Sequence, residues 1–83
     1  EALAPNDIVR LNEGLDRPDF KAKCSRFRTS IQLDPLTPLY GKVLQLIGPT
    51  RNRRGPRKYK VHVAGIGRDG FTEDELILEK RAV

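Results

Sequence analysis

The sequence predicts a mainly β fold, a small and partly open barrel of about five strands with a long first loop that has room for a short helix. Three observations point there. Lys58 to Val63 alternates cleanly, with Tyr59, Val61 and Val63 on one face and Lys58, Lys60 and His62 on the other. Tyr40 to Ile47 reads as a second strand, rich in apolar residues. The stretch between them holds two glycines and two prolines, Gly48, Pro49, Gly55 and Pro56, so the unit is expected to be an antiparallel hairpin with a protruding loop.

With 83 residues the chain is read as one domain, 1–83, at a size where folding buries only about 60 to 65% of the unfolded surface. Its core must be small. Asp7-Ile8-Val9-Arg10-Leu11 is short and β-branched between turn formers, which places a first strand within 5–12, with Val9 and Leu11 inward and Arg10 outward. The loop 13–39 is ambiguous because two periods compete inside it. Phe20, Cys24, Phe27 and Ile31 follow helix spacing, with Asp19 placed as N-cap. Phe27, Thr29, Ile31 and Leu33 alternate as a strand would. Both readings stay open until Pro35 and Pro38, each of which removes a donor and restricts the residue before it. The hairpin then spans 40–63. Ala64 to Gly70 is expected as a glycine-rich link, and 71–79 as one turn followed by a closing strand. The tail from Glu79 is expected to fray or to reach a neighbouring segment.

Lys plus Arg number 16 against 11 Asp plus Glu, a formal charge of +5, so polyanions or acidic protein faces are the expected partners. A single cysteine, Cys24, forms no intrachain disulfide, and with the lone His62 it is too little for a Cys/His zinc site. No metal or cofactor is expected, and a reducing intracellular compartment such as the cytoplasm is the simpler location. The longest apolar run, Val43 to Ile47, is interrupted by Gln45 and is far below the roughly 20 residues of a membrane-spanning helix. The N-terminus has neither an initiator Met nor a signal pattern, which points to a processed chain or a piece of a longer one.

Taken in order, Asp-Ile-Val-Arg-Leu, a long first loop, Tyr-Gly-Lys-Val-Leu-Gln-Leu-Ile, a second hairpin strand and Phe-Thr-Glu-Asp-Glu-Leu before a last strand resemble the SH3-like small barrels. That group includes the E-type small proteins of photosystem I, KOW-type ribosomal and transcription modules, and the DNA-binding C-terminal domains of some integrases. The matching turns are Gly41 to Val43 and Glu73 to Leu76. The resemblance covers Asp7 to Leu11 and Tyr40 to Leu78, while Leu15 to Pro38 departs from it. It implies a partly open barrel with exposed binding loops; such barrels bind protein, RNA and DNA alike, so function has to come from the site.

The strongest chemical signal is Arg51, Arg53, Arg54, Arg57, Lys58 and Lys60, six cations within ten residues. Each guanidinium can meet two phosphate oxygens in a fork, which suits nucleic-acid contacts; a solvated hairpin tip is the simpler account. A second basic run, Lys21, Lys23, Arg26 and Arg28, is either the outer face of an amphipathic helix or a second contact surface. Tyr40 and Tyr59 could stack on bases, although Tyr59 sits at a core position of its strand. Gly65-Ile66-Gly67-Arg68-Asp69-Gly70 imitates a dinucleotide fingerprint, but too few residues follow it for the strand–helix–strand unit such a site needs, so it is read as a turn. His62 and Cys24 lack partners for catalysis, and Glu73-Asp74-Glu75 reads as a solvated turn able to dock a basic neighbour. The chain is therefore expected to be a non-enzymatic module that binds nucleic acid, DNA or RNA, through the Arg51 to Lys60 hairpin. The alternative is a small accessory component of a larger complex, such as a photosynthetic electron-transfer complex, that docks an acidic protein.

Overall fold

Alternation and proline placement divide the chain as the sequence suggests. The structure, a computed structural model, describes residues 2–48 and 55–83. The elements are β1 (Ile8–Leu11), α1 (Pro18–Ile31), β2 (Tyr40–Gly48), β3 (Lys58–Val63), β4 (Gly67–Thr72), a single 3-10 turn (Glu73–Glu75) and β5 (Leu76–Lys80). All five strands pair antiparallel in one sheet, in the order β4-β3-β2-β1-β5. The sheet is not closed, and at that coarse level it is consistent with an SH3-like barrel. No helix among the described residues is long and apolar enough to cross a membrane.

β2 is the strand shared by both halves. Its start pairs with β1 (Val9 opposite Gly41), and from Gly41 to Gly48 it pairs with β3, with irregularities between Val43 and Gln45 and between Leu46 and Gly48. Such bulges bend a strand and increase its twist, which curls a flat ribbon toward a barrel. Gly41 sits at the tightest point. A Cβ there would lie 2.6 Å from Val61 Cγ1 and 3.0 Å from the His62 carbonyl oxygen, so the crossing of β2 and β3 leaves no room for a side chain.

The inward residues are those the alternation selects: Val9, Leu11, Val43, Tyr59, Val61, Val63, Phe71 and Leu76, joined by Leu39 and by Phe20 and Cys24 of α1. Tyr59 is fully buried, and its hydroxyl accepts the Leu3 N–H at 3.1 Å. It is a core residue and takes no part in any surface site.

Helix prevails in the ambiguous loop, over 14 residues rather than as a short insert. Arg17 is the N-cap and Pro18 occupies the first turn, where a missing N–H costs nothing, so Asp19 lies one step inside the helix and is not its cap. The competing strand pattern has a physical explanation. Gln32 adopts a left-handed conformation (φ 56°), and the Leu33 N–H bonds back to the Arg28 carbonyl at 3.0 Å. This turn ends the helix and returns Leu33 to the core beside Phe27 and Ile31, so residues favoured by either period are packed.

One other expectation is corrected. The glycine-rich link is only a three-residue turn, and Gly67–Thr72 forms β4, paired with β3 along its whole length. Glycine depresses strand propensity, but the neighbouring strand supplies the backbone partners and Phe71 supplies the buried anchor. Of the two courses expected for the tail, it takes the second and reaches a neighbouring segment, the one before β1. Asp7, 1% exposed, accepts the Ala4 N–H at 2.9 Å, the Ala82 N–H at 2.8 Å and the Arg81 guanidinium at 3.2 Å. Donation from the Ala82 and Ala4 amides, with the Arg81 charge behind them, holds its carboxyl below the usual value against the opposing effect of burial. Because the folded value is depressed, this contribution is complete above the unfolded value near about 3.9 and fades as pH falls through the folded one. Asp7→Asn is therefore expected to lower the urea midpoint at neutral pH and to converge on wild type once the pH falls below the depressed folded value. A gap that stays constant with pH would show that the carboxylate charge is not what holds the two chain ends.

Candidate nucleic-acid interface

Of the ten cations singled out in the sequence, Arg51, Arg53 and Arg54 lie outside the described residues. The others divide by what already occupies them. Arg28, its side chain 12% exposed, forks onto both Glu13 carboxylate oxygens and donates to the Thr37 carbonyl from Nε (3.0 Å) and Nη2 (2.7 Å). Hydrogen bonding to Glu13 raises its pKa further. Lys23 meets Asp69 at 3.0 Å and lies 4.4 Å from the centroid of the Phe71 ring. Both are internal struts. Lys21 and Arg26 are exposed, but α1 packs on the inward side of the sheet, so they do not join the hairpin. Of the helix run, Lys23 and Arg28 are thus engaged within the chain, while Lys21 and Arg26 stand exposed away from the outward face of the sheet.

Arg57 is exposed and makes a loose ion pair with Glu73 at 3.3 Å, the kind of surface pair that contributes roughly 0 to 1 kcal/mol and yields readily to a better anion. The rest of the acidic run is also engaged: Arg17 reaches Asp74 at 2.6 Å and Glu75 at 2.9 Å. Hydrogen bonding from Arg17, helped by Thr72, holds the Asp74 carboxyl below its usual value. Thr72 and Glu75 close a reciprocal capping box on the 3-10 turn. These acids dock basic neighbours within the chain, as expected of them.

Lys58 and Lys60 do come together with residues that stand apart from them in the sequence. Since Tyr59, Val61 and Val63 point into the core, Lys58, Lys60 and His62 must point out, and strand register extends each into a rung across the sheet. Lys42 stands opposite His62, which stands opposite Arg68. Gln45, Lys60 and Gly70 form the next rung, and Gly48, Lys58 and Thr72 the last before the stretch of sequence that holds Arg51, Arg53 and Arg54. No carboxylate occupies any of these outward positions on β2, β3 or β4. The first rung continues through Ile8 of β1 to Lys80 of β5, so it crosses all five strands. Glu79, the acid next to Lys80 on that extension, is held by Arg10 at 2.7 Å.

Sequence reasoning misses Lys42, His62 and Arg68 for a specific reason. Each is isolated in sequence, and they converge only through the β2–β3 register and through β4, whose glycines read as a link. The alternation of β2 and β3 is a sufficient signal for Lys42 and His62 once the register is known.

Cys24, fully buried, has its thiol pushed up to about 11, chiefly by burial and then by the negative charge of Glu13. It packs as a small apolar group and carries little of the thiolate a nucleophile needs. Comparison with family models, with curated proteins and with solved structures gave no match.

Proposed function

We propose that this protein is a non-enzymatic module that binds nucleic acid by its phosphates, using the outward face of β2, β3 and β4 together with the arginine-rich stretch of sequence between β2 and β3. The observation that carries this reading is the set of paired outward positions on which Lys42, Lys58, Lys60, His62 and Arg68 stand without an opposing carboxylate. Elsewhere, Arg10 is neutralised by Glu79, Arg17 by Asp74 and Glu75, Lys23 by Asp69, and Arg28 by Glu13. A cluster of cations without opposing carboxylates raises the local potential and attracts a polyanion.

Steps of two residues along β3 separate Lys58, Lys60 and His62 by about 6.6 to 6.8 Å each, and neighbouring strands add cations at about 4.8 Å. A flexible phosphate backbone can follow such a lattice without base-specific readout. Affinity is then governed by counterion release and falls with salt. Replacing Lys42, Lys60 and Arg68 together with Ala is expected to reduce the slope of log affinity against log salt by about 2 to 3, and to weaken DNA and RNA strands of different sequence alike. Fluorescence anisotropy with labelled oligonucleotides at several salt concentrations measures this. Unchanged binding in the triple variant would refute the proposal, as would failure of the wild type to bind any oligonucleotide while an acidic protein is retained.

A further inference from the structure

The outward face is not uniformly polar. Where the first rung crosses β1, β2 and β3 there is a shallow depression of about 260 Å³, lined by Ile8, Tyr40, Gly41, Lys42, His62 and Ala64. Tyr40 is 43% exposed at its edge, an aromatic ring left partly in water by a chain that buries Tyr59 and Phe71 completely. Gly41 contributes only backbone to its lining, because a side chain there would turn inward against Val61 of the core.

We infer that this depression takes an unpaired nucleobase, stacked on Tyr40, so that the module prefers single-stranded nucleic acid to duplex. The inference rests on the phosphate-binding reading of the same face and adds the class of strand to it. Charge and shape together select the occupant. The depression is smaller than the roughly 300 to 1,000 Å³ pockets that enclose drug-sized molecules, so it accepts one planar group laid against it. Lys42 and His62 border it, with Lys80 beyond Ile8 on one side and Arg68 beyond His62 on the other, so a planar apolar group is favoured when it is carried on a polyanion. In a duplex the bases face one another and only their edges reach the grooves, whereas a single strand can turn a base face onto an aromatic while its phosphates remain on the cations.

The test compares three labelled probes: a dT15 strand, a 15-residue abasic strand with the same phosphodiester charge, and a 15-base-pair duplex. Stacking of even one base on an aromatic is worth at least about fivefold in affinity, so dT15 is expected to bind at least that much more tightly than the abasic strand. Tyr40→Ala should remove the difference and Tyr40→Phe should keep it, both variants being checked for native circular dichroism. Equal affinity for dT15 and the abasic strand, or a dT15 preference that survives Tyr40→Ala, would overturn the stacking inference and leave phosphate binding standing. A duplex bound more tightly than dT15 would overturn the strand preference. Binding of none of the three would overturn the proposed function along with the inference, and is distinguished by that from the other outcomes.

Discussion

Phe71→Ala is expected to destabilise the protein by about 3 to 5 kcal/mol, the range for truncating a fully buried aromatic. Phe71 is completely buried and lies where β4 meets the helix. Phe20 meets its ring edge-on at 6.2 Å between centroids and Phe27 at 6.5 Å, while the Lys23 ammonium stands 4.4 Å from its centre. The ring is thus the main apolar tie between α1 and the sheet, and its loss leaves a cavity that the paired backbone of β4 and the helix can only partly close. An ordinary domain of this size has a net stability of about 4 to 12 kcal/mol, so the substitution removes a large share of it. Phe71→Leu, which keeps much of the volume, should cost less than about 2 kcal/mol. Urea unfolding followed by circular dichroism gives both values. A loss under about 1 kcal/mol for the alanine variant would mean that α1 is held by other contacts.

Arg28→Ala is expected to cost about 2 to 3 kcal/mol, although the residue lies far from the proposed interface. The Arg28 guanidinium ties the segment after β1, through Glu13, to the segment before β2, through the Thr37 carbonyl, and it is nearly buried while doing so. Its removal strands a half-buried carboxylate and a carbonyl, and groups left without donors are where such losses arise. Glu13 keeps 30% of its side-chain exposure, which holds the expected cost below the range for a fully buried pair. Arg28→Lys should recover under half of the loss, because an ammonium cannot serve both partners in a planar fork. In a double-mutant cycle, Glu13→Gln with Arg28→Ala should cost clearly less than the two single changes added together. Additive costs would show that the pair is incidental.

Arg28 also illustrates how far the sequence could be read. Composition and alternation were enough for the mainly β class, for the inward set Val9, Leu11, Tyr59, Val61 and Val63, and for the antiparallel pairing of β2 with β3. They failed where local preference opposes tertiary context. Gly67 and Gly70 hid β4, because a strand is defined as much by its neighbour's unpaired backbone as by its own residues. Within the basic run Lys21, Lys23, Arg26 and Arg28, residues alike in type have unlike roles. Lys23 and Arg28 are committed to carboxylates supplied by distant parts of the chain, and nothing in the run itself marks which cations those partners will claim. The candidate interface was legible only along β3, at Lys58 and Lys60. Its other half, Lys42 and Arg68, depends on register, which sets the face every residue occupies and becomes readable only once both partners of a pair are known.

The position of β2 between the two halves of the sheet bears on the order in which the fold assembles. β2, β3 and β4 form a meander between strands consecutive in sequence, whereas β1 and β5 join residues near opposite ends of the chain, such as Leu11 and Leu76. Closing that longer loop costs more chain entropy and is repaid only once partners already exist, so contacts local in sequence tend to form earlier. Tyr40, Lys42, Lys60, His62 and Arg68 all belong to the meander. The cations of the proposed interface therefore lie on the segment that can form before the chain ends meet, and transient parting of β1 from β5 would leave them in place.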